Sequence, residues 1–262
     1  MAVLQSHLWF APWAAPRARR LPGIQPLDPA DWLHVDDAFA GQMALRDRLI
    51  AEAPEAVHAL LPSARPAAAE LYARVLDILR TAPGYRVAAG AVTRPDGVVV
   101  ALEPDLPLLT LGRLVQADLC LMEAQGAQHV LTGAILCFPA GWSLDEKIGH
   151  PLTRIHTPVP EYDAGLAARV QRLFDGIHVD RPMWRANVLA YADADLFTPA
   201  REGAPRPRPV GPAPYVRSER QCLVRLPRTR AVVFSIHTAM VRRAALTPAQ
   251  AEAFEALHGA PA

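Results

Sequence analysis

Between Tyr215 and Val241 the chain carries two long β-like runs, Tyr215 to Leu226 and Ala231 to Val241, joined by Pro227-Arg228-Thr229-Arg230. A short polar connector between such runs closes as a hairpin and commits this part of the chain to an antiparallel sheet. Alternation along the first run places Arg217, Glu219, Gln221, Leu223 and Arg225 on one face, and Val216, Ser218, Arg220, Cys222, Val224 and Leu226 on the other. Charged side chains on both faces of a covered sheet need partners, so at least one of Glu219 and Arg220 should face a polar cavity. The alternative, from these residues alone, is an edge strand whose charges are solvated and paired at the surface. A carboxylate held beside arginine could orient an amine or relay protons.

The rest of the chain alternates helical and β-like stretches. Asp31 to Ala53 and Pro66 to Thr81 space their apolar residues helically. Tyr85 to Val92 and Val98 to Leu102 form a hairpin around Pro95-Asp96-Gly97. Residues 108 to 123 are apolar but interrupted by Arg113, Gln116, Asp118 and Glu123, and read as a buried helix or irregular segment. His129 to Phe138 reads as a strand ended by Pro139. Ser143 with Glu146 matches a capping box, which predicts a short helix carrying Lys147 and stopped at Gly149. A helix follows from Ala164 to Ile177, then a strand from Met183 to Tyr191. Six prolines between Leu196 and Tyr215 predict an extended loop. Thr247-Pro248 with Gln250 opens a last helix that ends by Gly259. The expected class is α+β, divided into an N-terminal helical extension (1–84), a core (85–242) with the proline-rich loop 196–214, and a C-terminal helix (243–262).

A formal net charge of +1, with acids balancing dispersed arginines, argues against nucleic acid as a partner. Cys120, Cys137 and Cys222 sit singly in apolar runs, as reduced core residues do. No apolar run is long enough to span a bilayer, and no basic segment precedes an apolar core at the start, so the expected setting is the cytoplasm. No Gly-x-Gly-x-x-Gly or P-loop pattern is present, so electrons for any redox chemistry would come from elsewhere.

Residues 136 to 160 concentrate chemistry. An apolar strand runs into Ser143, Asp145, Glu146, Lys147, His150 and His156, closed by Pro158 and Pro160. Lys147 is the only lysine among 27 Lys and Arg residues, a departure from the chain's habit at this place. His156 precedes Thr-Pro-Val-Pro, where stiff backbone could aim an imidazole; a hydrogen-bonded structural histidine is the alternative. With no His-x-x-x-His or Cys-x-x-Cys spacing there is no ordinary multidentate metal motif, and with no Cys-x-x-Cys-His any haem would be held non-covalently. Cys137, bracketed by apolar residues, reads as core.

Several motifs, in order, resemble the family of the haem-dependent oxidative N-demethylase alpha subunit. They are Trp32-Leu33 with Asp36-Asp37, Asp118 to Met122, Leu136-Cys137-Phe138-Pro139 with Trp142, Glu146-Lys147-Ile148-Gly149, Ile155-His156 with Pro158-Val159-Pro160, and Arg217 to Gln221 followed by Arg225-Leu226-Pro227. The resemblance covers nearly the whole chain. It implies a PAS-like antiparallel sheet with flanking helices around haem b. It also implies O₂-dependent hydroxylation of a small methylated amine, whose carbinolamine collapses to formaldehyde and the smaller amine. Electrons would come from a separate NAD(P)H-dependent reductase, protein or subunit.

The same resemblance makes His156 the axial iron ligand, sets Lys147 against a haem propionate, puts Arg217 and Gln221 with the cofactor, and gives Glu219 and Arg220 the catalytic side. A haem-binding PAS-like sensor and a non-catalytic partner subunit are the competing readings. The chain departs from the family pattern at Arg185-Ala186-Asn187-Val188, where a tryptophan is expected in place of Val188, and at Thr238-Ala239, where an aromatic often follows the threonine.

Overall fold

The computed structural model describes residues 2–14, 23–156, 164–204 and 212–258. Its strands are β1 (Gln25–Pro26), β2 (His58–Leu60), β3 (Arg86–Val87), β4 (Ala91–Thr93), β5 (Val99–Ala101), β6 (Asp118–Gln125), β7 (Gln128–Ile135), β8 (Met183–Tyr191), β9 (Tyr215–Arg225) and β10 (Val232–Arg242). The helices are α1 (Phe39–Glu52), α2 (Pro54–Val57), α3 (Arg65–Leu79), α4 (Pro107–Gly112), α5 (Leu152–Ile155), α6 (Ala164–Gly176) and α7 (Pro248–His258). A seven-stranded antiparallel sheet runs β1-β8-β9-β10-β6-β7-β2, and β3-β4-β5 form a separate small sheet. The α+β expectation is met, with segments before residue 85 supplying both edge strands.

The β9–β10 hairpin forms as the alternation requires, pairing Glu219 with Thr238 and Arg220 with His237. Its turn places Arg230 at φ 64, a left-handed conformation unfavourable for a residue with a Cβ. Glu70 of α3 holds that turn, accepting from the Arg228 and Thr229 amides at 2.7 Å each and from the Thr229 hydroxyl at 2.6 Å. These bonds hold its carboxyl below the usual range.

One face of the large sheet is covered by α1, α3 and α4. There Leu71, Val75, Leu79, Leu108 and Leu111 pack on Leu119, Leu121, Val224 and Val233. Gly112 permits the close approach of α4, since a Cβ there would lie 2.5 Å from Ile135 Cγ1. On the other face Leu144, Leu152, Phe174 and Ile177 pack on Cys120, Met122, Leu223, Val232 and Ile236. A third cluster joins α7 and the N-terminal residues Leu8, Phe10 and Trp13 to Val188, Val216 and Val241.

Two expectations are corrected here. Residues 118–125 form β6, a strand whose first five residues are all buried. Buried on both faces, they show no alternation from which a strand could be read. Residues 143–149 form a turn, not a capped helix. Ser143 Oγ donates to Ala200 O at 3.1 Å and Glu146 accepts from the Glu202 amide at 3.0 Å, so both supposed capping groups serve a distant loop. The Thr247–Gln250 box does form, with reciprocal bonds of 3.0 and 3.3 Å. Gly259 and part of the proline-rich loop lie outside the described residues, as do Pro158 and Pro160.

Candidate functional site

The exit of β7 is fixed first. Asp118 accepts from the amides of Cys137 and Phe138 at 2.7 and 3.0 Å and from Arg46 at 2.6 Å, both charges being buried. Arg46 also donates to Gly112 O and Ala117 O, which satisfies its fork. A buried ion pair persists only with such complete hydrogen bonding. From this anchor the chain crosses the sheet as residues 139–156.

That crossing segment is laced to residues 198–202. Thr198 donates to Pro139 O through its hydroxyl at 2.8 Å, and Gly141 N donates to Thr198 O at 2.9 Å. Buried Lys147 donates to Glu202 and, at 3.0 Å, to Ile155 O. Arg154 adds bonds of 2.8 and 3.0 Å to the same carboxylate. Arg154 and Lys147 together pull the Glu202 carboxyl down to about 2.

This clamp holds the backbone beside His156, which ends α5. Its Nδ1 lies 2.9 Å from Leu152 O, so the tautomer with hydrogen on Nδ1 donates there and carries the lone pair on Nε2. Burial first, and then the positive charges of Lys147 and Arg185, push the imidazole below its ordinary value, which favours the neutral, ligand-competent ring. An imidazole held through Nδ1 to a carbonyl is the arrangement by which proteins orient metal-ligating histidines.

On the same face, neighbouring strands carry a polar row. Glu219 accepts three side-chain bonds, from Arg217 Nε at 3.1 Å, Asn187 at 2.9 Å and Gln221 at 3.1 Å, and Arg217 Nη2 lies 3.0 Å away as an ion-pair contact. Arg217, fully buried, also donates to Leu196 O and Phe138 O and lies over the Tyr191 ring. Arg185 donates to Gln221 Oε1 at 3.2 Å. Arg185, Asn187 and Gln221 are only half-buried, as is His156, so the cover of this face thins over β8 and the adjoining part of β9. Half-buried Trp142, Ile155, Met183 and Phe234 supply apolar surface on the same face.

The residues expected to form the site are therefore sorted. Gln221 and Glu219 share the face of His156, but Glu219 is committed to Arg217, Asn187 and Gln221 and so holds the row together. Lys147 is committed to Glu202 and Ile155 O, and Arg217 to two carbonyls and Glu219, so both serve as struts. Arg220 lies on the opposite face and does not share a cavity with Glu219. It donates to Trp32 O at 3.2 Å and its guanidinium lies 4.9 Å from the Trp184 ring and 5.7 Å from Trp9.

Three features lie in segments that the family resemblance touches but were given no site role from the sequence. Thr238, cross-strand from Glu219, has a buried hydroxyl without a hydrogen-bond partner. Arg185 and Asn187 flank Gln221 and Glu219, and their two-residue spacing on a strand was the available signal. On the opposite face, Asp36 accepts from His237 at 2.9 Å, Gln116 at 2.6 Å and Gln5 at 2.9 Å, which holds its carboxyl well below the usual range. Two concavities also lie on that opposite face. A groove of 530 Å³ is lined by Trp32, Arg74, Asp77 and Arg228, and one of 260 Å³ by His34, Tyr85 and Gln116. Neither adjoins His156.

Burial raises the Cys137 thiol to about 12 and the Cys222 thiol to about 11, so neither offers a thiolate at neutral pH. Among the described residues no three of His, Cys, Asp and Glu gather to hold a metal ion, and no helix is long and apolar enough to cross a membrane. The model of the family described as haem-dependent oxidative N-demethylase, alpha subunit-like, matches residues 23–261.

Proposed function

From the premise that the chain belongs to the haem-dependent oxidative N-demethylase, alpha subunit-like family, we propose that it holds haem b against the open stretch of β8 and β9, with His156 as the protein ligand to iron. The observation that carries this reading is His156 itself. It is a ring disfavoured from protonation, held through Nδ1 to Leu152 O, at the margin of a half-covered sheet face that mixes apolar and hydrogen-bonding groups.

Taken in chain order, β6 to β10 lie in the spatial order 2-1-5-4-3, which supports a PAS-like core at 85–242 with 1–84 as an extension and 243–262 as a C-terminal helix. Haem, when bound, supplies the O₂ and electron-transfer chemistry; the overall conversion takes R₂N–CH₃, O₂, two electrons and two protons to R₂NH, formaldehyde and water. A separate NAD(P)H-dependent reductase supplies the electrons and a small methylated amine is the substrate. Thr238, with its buried unpartnered hydroxyl beside the Glu219 row, has hydrogen-bonding capacity left over on this face. Glu219 fixes Asn187 and Gln221, and thereby the polar floor of the site.

The commitment of Glu219 to Arg217, Asn187 and Gln221 and the placement of Arg220 on the opposite face favour one second reading, a haem-binding subunit that does not turn over amine. Reconstitution with haemin separates the outcomes. Wild-type protein gives a stoichiometric Soret band with an imidazole-type CO adduct, and His156→Ala loses or strongly shifts it. Formaldehyde release with small methylated amines and reductant distinguishes the enzyme from the silent subunit. No specific band in wild type sinks the haem reading; an unchanged band in His156→Ala moves the ligand to another residue such as His150.

A further inference from the structure

Arg185 is the cation on this face whose charge is left uncompensated. Lys147 and Arg154 meet Glu202, and Arg217 meets Glu219, but among the described residues Arg185 forms no ion pair and a single hydrogen bond, to the neutral amide of Gln221. Its Nε is buried and has no partner at all. Burial lowers its guanidinium from the ordinary value, and only the nearby charge of Glu219 opposes that. A guanidinium withdrawn from water without a carboxylate is costly, and its planar fork fits a carboxylate through paired N–H donors. It also lies close enough to His156 for its charge to disfavour imidazole protonation.

We propose that Arg185, and not Lys147, is the residue that receives a haem propionate. This rests on the haem reading above and goes beyond it by assigning the carboxylate contact. Lys147 already spends two of its three N–H donors on Glu202 and Ile155 O, and its charge is already met by a carboxylate, so it gains less from a second anion. Arg185 need break nothing, since its bond to Gln221 uses one of its five N–H donors and the residue is half-buried. Gln221 then acts as a positioning residue, linking Arg185 to the Glu219 row so that the fork is preset before the ligand arrives.

The test compares haemin with haemin dimethyl ester, in which both propionates are masked, by Soret titration of apoprotein. Wild type should bind haemin about tenfold or more tightly than the ester, as expected of a charge-assisted hydrogen bond. Arg185→Gln should lose most of that preference while binding the ester as wild type does, and Arg185→Lys should recover part of it, since charge survives but the fork does not. The thermal unfolding temperature of the apoprotein should not fall in Arg185→Gln, because the group removed is an uncompensated charge that makes one neutral bond. Lys147→Met should leave the preference for haemin over ester intact even where overall affinity falls. An unchanged preference in Arg185→Gln, or its loss in Lys147→Met, overturns the assignment. A wild type that binds neither porphyrin overturns the haem reading itself, and a wild type that binds both equally overturns the propionate contact alone.

Discussion

On one face of β9, Arg217 and Glu219 neutralise each other inside a net of amides and carbonyls; on the other, Arg220 lies between the rings of Trp9 and Trp184 and donates to the Trp32 carbonyl. Both guanidiniums are almost wholly buried. The first is compensated by a formal charge, the second by ring quadrupoles and a peptide dipole. The difference shows where this sheet can accommodate something new. A charge pair closed by three hydrogen bonds to its carboxylate is complete, and so is a stacked guanidinium, whereas the first face ends at Arg185, where the row of partners runs out.

The contrast is sharpest in stability. Arg217→Leu leaves Glu219 buried without its cation and orphans Phe138 O and Leu196 O, so the apoprotein should lose about 3–5 kcal/mol in urea unfolding. Arg220→Leu removes stacking and one bond to a carbonyl and leaves no charge behind, for a loss of about 1–2 kcal/mol. Equal losses would break the comparison, since they would mean that the aromatic surroundings carry as much as an ion pair. On the Arg220 face, Asp36→Ala should cost about 1–3 kcal/mol by stranding donors of His237, Gln116 and Gln5, with Asp36→Asn milder because an amide oxygen remains to accept. A loss matching that of Arg217→Leu would show that this face, too, is held mainly by charge.

The two faces were unequally legible in the sequence. The strands β8, β9 and β10 stand out because each alternates or carries turn chemistry at its end, and the same alternation already separates Glu219 from Arg220. Treating that pair as one catalytic unit ignored what the period of two requires. Strand β6 stayed hidden because burial on both faces erases alternation. The supposed helix at Ser143–Gly149 fails for a different reason: its capping groups are claimed by Ala200 and Glu202, a long-range choice that local patterns cannot register. Thr247 and Gln250, at an exposed helix start, meet no such competitor and cap as their spacing suggests. His156 was visible as a candidate, whereas Arg185 was named only within the Arg185-Ala186-Asn187-Val188 pattern and given no role, because its meaning lies in the absence of a carboxylate that only the assembled sheet reveals.

The smallest effect belongs to the clamp that steadies the first face. Glu202 is partly exposed, so solvent screens its pairs with Lys147 and Arg154 and its neutral-pH contribution is modest. Its folded-state value, about 2, is depressed from the ordinary 4.5. The carboxylate therefore stabilises the fold fully above about 4.5, and that contribution fades as pH falls from there through about 2. Asp36 and Glu70, also depressed, are lost in acid in wild type and variant alike, so the informative quantity is the difference between wild type and Glu202→Gln. That difference should be small and constant above about pH 5 and should vanish toward pH 2, measured as unfolding midpoints across the range. A difference that stays flat to pH 2 would mean that the Lys147–Glu202 contact does not hold the crossing segment, and that Lys147 is available for another anion after all. On the opposite face Arg220 forms no ion pair among the described residues but repels a charged His34, whose imidazole is held below its ordinary value by burial and then by Arg220, so the loss in Arg220→Leu should shrink as pH falls and His34 protonates.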